Sequence, residues 1–228
     1  SVLPVPDYTA ALRGDVRGLR VGLLRGGFLD VAAPAVRVAV ERAAKTFAAQ
    51  GAIVDELELP SVVHVAAASF AIVASEALAY HAEWLRTRAS EYQADVRERL
   101  RIGAFISGMH YVRGQQVRAL FRAEVDAALA KRDVLLAPAT PIPAPRVGER
   151  TVAVDGATVE VRSSLIRLTR PFNFSGHPAC ALPCGFTPEG LPLGMQIVGR
   201  PFDEATVLRA ADAYQRVTDW HTRRPMLG

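Results

Sequence analysis

The sequence predicts an α/β fold, a mixed β-sheet flanked by helices. Three observations carry this expectation: a strand–helix–strand run over residues 17–60, a proline-free helical stretch from 62 to about 131, and two late strands joined by "TPEG" ahead of an amphipathic helix. No repeat, low-complexity tract or linker divides the chain, so residues 1–228 are expected to form a single domain. Half of the 228 residues are apolar, enough for a sizeable core.

The run "RGLRVGLLRG" is short, apolar and closed by Gly26 and Gly27, which predicts a buried strand. "APAVRVAVERAAKTFAAQG" follows with a proline near its start, helical spacing of its apolar residues and Gly51 as a stop. "AIVDELELP" reads as a second strand, and a βαβ unit makes the pair parallel. Between Pro60 and Pro138 two or three long helices are predicted, broken near "ASEYQAD" and at Gly103 or Gly108. Val117, Leu120, Phe121 and Val125 supply an apolar face to the last of them, and Lys131-Arg132 suits its C-terminal end.

"DVLLAPATPIPAP" reads as a buried strand running into a proline-rich loop. In "TVAVDGATVEV", Asp155-Gly156 between two β-prone runs signals a hairpin. A helix is predicted to start at Ser163 or Ser164, with Pro171 as its limit. "ACALPCGF" and "LPLGMQIVG" form the late strand pair, and "DEATVLRAADAYQRVTDW" the closing helix with acids in its first turn.

Charge argues against a nucleic-acid partner. The net charge is only +4 and the basic residues are scattered rather than clustered. The apolar stretch 62–80 is interrupted by His64, Ser69, Ser75 and Glu76, which suits a buried helix and gives no reason to expect a membrane. If 180–184 is a strand, Cys180 and Cys184 lie roughly 13 Å apart, beyond disulfide reach. Both are expected to be small buried residues in a reducing, cytoplasmic setting. The N-terminus has neither an initiator methionine nor a signal pattern, so a chain starting on Ser1 is expected to be processed, trimmed or cut from something longer.

Few residues invite chemistry. Ser175 and His177 in "FNFSGHP" suggest a nucleophile and base, but Asn173 stands where the G-x-S-x-G elbow needs glycine, and a turn or cap before a buried strand is the simpler reading. Cys184, in a strand closed by Gly185, is read as a packed thiol. The five histidines are dispersed, form no metal-ligand spacing and imply no metal, and "LLRGGFLD" matches neither a dinucleotide fingerprint nor a P-loop. Glu76 is either an interior polar anchor or a solvent-facing residue. Tyr111 and Arg118, a heptad apart, fall near one helix face, where Arg118 either binds a carboxylate or snorkels at the surface.

"DVLLAPATPIPAP", "PFNFSGHPACALPCGF" and "GLPLGMQIVGRPFDEATVLRAADAY", in that order, resemble the C-terminal half of the amidase signature family. "DYTAALRGDVRGLRVGLL" is similar to the segment following that family's signature region, so the resemblance covers most of the chain. It implies an αβα sandwich and cleavage of a carboxylic amide through a serine acyl-enzyme, with no cofactor. The family's nucleophilic serine, second serine and lysine precede the part that Ser1 to Leu24 resembles. Neither Lys45 nor Lys131, nor the pair Ser163-Ser164, has their glycine-rich context.

The resemblance therefore implies the distal portion of an amidase, inactive alone, whose partners are the missing N-terminal segment and an amide substrate. By the same resemblance Tyr111 and Arg118 would bind substrate, the Arg118 guanidinium contacting the substrate's carboxylate, while Asn173 and Gly176 of "N-x-x-G" would shape the pocket wall. An amidotransferase of this family would carry an aspartate where Ile166 and Arg167 stand, which favours a general amidase acting on an acidic or small acyl amide. The alternative is a non-catalytic amidase-like scaffold. Loss of half a sheet would expose apolar edges and faces, so a homo-oligomer is expected.

Overall fold

A computed structural model describes residues 2–225. Ser1, on which the expectation of an upstream segment rests, lies outside the described residues, as do 226–228. Strand β1 (Arg20–Leu24) leads to helix α1 (Pro34–Ala49) and strand β2 (Ile53–Leu57), and Val21 pairs with Val54 in a parallel ladder. Pro34 opens α1 because a first-turn N–H has no helical partner to lose, and Gly51, at φ 88°, turns the chain back into β2. Helix α2 (Val62–Thr87) follows, then α3 (Ala94–Ile102) and α4 (Gly108–Ala130), with short 3₁₀ turns at Ala89–Glu91 and Gly103–Phe105. Both predicted glycine breaks are therefore used.

Strand β3 (Val134–Pro138) enters the sheet beside β1. The hairpin β4 (Thr151–Val154) and β5 (Ala157–Glu160) turns on Asp155 and Gly156, both at positive φ, as a tight two-residue hairpin turn requires. Helices α5 (Val161–Leu165) and α6 (Arg170–Ser175) precede β6 (Ala179–Phe186), β7 (Pro192–Val198) and α7 (Glu204–Arg216). Pro171 was expected to limit one helix. It instead occupies the first turn of α6, where its fixed φ is favourable, and α5 starts at Val161, ahead of Ser163.

The described residues form a five-stranded mixed sheet in the order β2-β1-β3-β7-β6, parallel from β2 to β3 and antiparallel from β3 to β6. Strand β3 is buried throughout. Its Val134 and Leu136 pack with α1 and α7 on one side of the sheet, and its Leu135 and Ala137 with α2, α4 and α6 on the other. This is an αβα sandwich. Gln196 of β7 is buried and donates from Nε2 to the carbonyls of Pro138 and Leu168, each at 2.8 Å, tying the sheet to the loop before α6.

Two burial expectations are corrected. α2 is not a buried helix: only 33% of its most apolar window is covered. Val65, Ala68 and Ile72 pack in the core with Phe121 and Val125, while Val63, Phe70, Val73 and Tyr80 face outward. It is long and apolar enough to cross a membrane by length and composition. The two cysteines are free, but only Cys184 is fully enclosed; Cys180 is half-buried near the edge of β6.

Candidate functional site

A polar row runs along α4: Tyr111, Gln115, Arg118, Arg122 and Asp126, spaced by four, three, four and four residues. Such spacing keeps side chains on one face of a helix, here the side that meets α2 and α6. Tyr111 Oη donates to Glu76 Oε1 of α2 at 3.0 Å, and Gln115 Nε2 donates to Tyr111 Oη at 3.0 Å. Glu76 is thus a solvent-facing acceptor rather than an interior anchor. Arg118 is half-buried, and its Nε donates to the Phe174 carbonyl of α6 at 2.8 Å. Its terminal nitrogens have no hydrogen-bond or ion-pair partner among the described residues. That fork is the geometry that grips a carboxylate bidentately.

Asn173 and Gly176 belong to the segment that Arg118 holds. Gly176 ends α6 at φ 81°, a left-handed conformation in which other residues are strained. Asn173 is exposed and lines a cavity of about 670 Å³ with Phe70, Val73, Arg162, Ile166 and Arg170. Its other side, with Gly176, Arg122, His177 and Phe202, borders a second cavity of about 430 Å³. Arg118 meets this segment through Phe174. Tyr111 does not, being engaged with α2, and neither Tyr111 nor Arg118 lines either cavity.

The structure does bring the Ser175 hydroxyl and the His177 ring together, and it adds a third member, Asp126, that sequence reasoning missed. His177 Nδ1 lies 2.9 Å from Ser175 Oγ, and Nε2 lies 3.0 Å from Asp126 Oδ1. The serine and the imidazole are enclosed, with no exposure for Ser175 and none for the His177 side chain. Burial lowers the His177 pKa, outweighing the bond to Asp126. The ring is therefore neutral near pH 7, with its proton on Nε2 facing the carboxylate and Nδ1 accepting from the Ser175 hydroxyl. A nucleophile needs access to a carbonyl carbon, and Ser175 has none. Extending the Tyr111–Arg118 spacing by two more turns would have found Asp126 in sequence; its partner, 51 residues on, has no local signal.

Other nucleophile candidates are equally withdrawn. Burial pushes the Cys184 thiol up to about 12 and raises that of Cys180. Ser163 N–H is capped by the Glu160 carboxylate, and neither lysine bonds to a serine among the described residues. No group of three or more His, Cys, Asp or Glu side chains that could hold a metal ion occurs among them.

Comparison with known proteins gives the family. The Amidase family model matches residues 1–208. The glutamyl-tRNA(Gln) amidotransferase A subunit of Chloroflexus aggregans is 39% identical over 248 residues, covering 99% of this chain and 50% of that protein. An amidase of Pseudomonas putida is also 39% identical, over 225 residues, covering 98% of this chain and 48% of that one. Identity thus does not separate amidase from amidotransferase. A structure described as a vestigial protein complex that reveals the evolutionary origins of an s-triazine catabolic enzyme superposes with a TM-score of 0.86 at 34% identity, over 95% of this chain and 47% of its own. A bacterial aryl acylamidase shares the fold, at a TM-score of 0.82 and 24% identity over 98% of this chain and 50% of its own. The chain spans about half the length of the curated relatives it matches. With the family match running from the first residue into α7, and the αβα sandwich shared, the chain belongs to the Amidase family of amidase signature proteins.

Proposed function

We propose that the chain is the distal, substrate-side portion of a cytoplasmic enzyme that cleaves a linear carboxylic amide through a serine acyl-enzyme. The nucleophilic serine, its companion serine and the lysine would come from sequence preceding Ser1, and the 228-residue chain alone would be inactive. The observation that carries this reading is Arg118: a half-buried guanidinium whose terminal nitrogens have no partner among the described residues, anchored through Nε on the Phe174 carbonyl next to Asn173. Arg162 and Arg170 line the cavity at Asn173 and form no ion pair among the described residues, whereas the Glu160 carboxylate there is held by the Ser163 N–H and Arg99 by Asp95, so the favoured substrate is an amide whose acyl part carries a carboxylate. Tyr111 would act one step back, through Glu76 and Gln115.

The test compares the protein expressed with its upstream coding sequence and the 228-residue chain, by ammonia release from succinamate and from neutral butyramide. The longer protein should prefer succinamate, and Arg118→Ala should raise its KM about 10–100-fold, the worth of a charge-assisted pair. Hydrolysis by the short chain, or labelling of Ser175 by a serine-directed phosphonate, would overturn the assignment.

A second reading is a partner-binding scaffold without catalysis, favoured by the outward apolar face of α2 at Val63, Phe70, Val73 and Tyr80. The upstream coding sequence separates the two: a glycine- and serine-rich stretch with an earlier lysine supports the enzyme, and a native start codon just upstream of Ser1 the scaffold. In either case the uncovered face favours self-association of the isolated chain, and a clean monomer at high concentration in sedimentation would count against it.

A further inference from the structure

We propose that Asp126 and His177 are positioning residues for Arg118, forming with Ser175 a relay that holds the end of α6 where the arginine fork can meet substrate. The proposal rests on the substrate role given to Arg118 above. It concerns residues that take no part in the reaction and touch no reacting atom.

α6 has six residues, far too few to hold its own position, and it ends on the left-handed Gly176. Its C-terminal end is therefore placed by contacts from outside. α4 supplies two. Arg118 reaches the Phe174 carbonyl, and Asp126, eight residues or about 12 Å further along the helix, reaches His177 and through it Ser175. The two anchors grip adjacent residues, Phe174 and Ser175.

The Arg118 bond runs from Nε, so the direction of the Phe174 carbonyl sets the plane of the guanidinium and with it the direction of the free fork. A shift of the Phe174–Ser175 backbone rotates that fork. Asp126 is half-exposed and could serve the surface alone, but its partner is a fully enclosed imidazole bonded at both nitrogens. An enclosed ring with both nitrogens satisfied has one orientation, which makes the relay rigid. Arg122, at 3.9 Å from Asp126, is the neighbouring charge on α4, and Glu204 of α7 borders the same cavity.

The experiment uses the protein with its upstream sequence, succinamate as substrate, and deuterium uptake of the segment 172–178 by mass spectrometry. Asp126→Ala, in a good helix former, removes the acceptor; Asp126→Asn keeps an amide oxygen that can still take the Nε2 proton. Asp126→Ala is expected to raise KM about 5–10-fold with kcat nearly unchanged, Asp126→Asn to restore it, and the effect to vanish in an Arg118→Ala background. Uptake over 172–178 should rise in Asp126→Ala and in His177→Phe, which fills the space without either bond. Unchanged uptake in both variants overturns the relay whatever KM does. A KM effect that persists without Arg118 overturns the positioning of that residue. Raised uptake with an Arg118→Ala variant of normal KM keeps the relay, removes its role toward Arg118, and refutes the substrate reading separately.

Discussion

Replacing Gly103 by alanine measures how closely the turn after α3 is pressed onto α2. A Cβ at Gly103 would stand 2.2 Å from the Ala74 carbonyl oxygen and 2.7 Å from Leu78 Cβ. Ordinary contact between such atoms is about 3.5 Å, so the overlap with the carbonyl exceeds about 1 Å. The obstacle is helix backbone, which cannot rotate aside like a side-chain tip. The φ of Gly103 is −54°, open to any residue, so the cost is steric and not conformational. Overpacking of this kind costs about 1–3 kcal/mol, equivalent to about 2–12 °C in Tm for a chain of this length. Urea unfolding of the 228-residue chain should show a lower midpoint at unchanged slope. Gly108→Ala is the control: nothing lies within 4 Å of its Cβ position, so it should be neutral or up to about 1 kcal/mol stabilising. A Gly103→Ala protein within about 0.5 kcal/mol of the parent, or a Gly108→Ala protein equally weakened, would refute the packing argument.

Burial of the His177 ring ties stability to pH. Its folded pKa lies below the ordinary value of 6.5, so the unfolded chain takes up the proton first: stability is full above about pH 6.5 and falls as pH drops from there through the folded pKa. Urea midpoints should decline over that window in the parent and stay flatter in His177→Phe; parallel curves would deny the linkage. With the Cys184 thiol pushed up to about 12, a thiol-specific reagent near about pH 8 should label Cys180 first and reach Cys184 only on unfolding, and equal labelling rates would show that the strand opens locally. Gln196→Leu leaves the Pro138 and Leu168 carbonyls unpaired in the core and should cost about 2–4 kcal/mol; a loss under about 1 kcal/mol would mean that water or a shifted donor replaces the amide.

Elements with local causes are legible in the residues themselves. The β1-α1-β2 unit follows from a proline start, an apolar period and Gly51, and the β4–β5 hairpin from Asp155-Gly156, because turn chemistry acts within a few residues. Pro171 misled because proline ends one helix and begins another with the same fixed φ, and only the surrounding chain selects between them. The apolar composition of α2 pointed to burial, yet composition cannot say how many faces are covered. A packing arrangement does that, and here Phe121 and Val125 cover one side.

The candidate site divides along the same line. Tyr111 and Arg118 share a helix face by spacing alone, and the left-handed Gly176 belongs to a short pattern readable in one dimension. That Arg118 keeps a free fork, that Tyr111 turns to Glu76 instead of the cavity, and that His177 joins Asp126 to Ser175 are settled by folding, since each depends on side chains dozens of residues apart meeting in space. Periodicity places residues on a face of their own element; only the packing of α4 against α2 and α6 determines what each face meets.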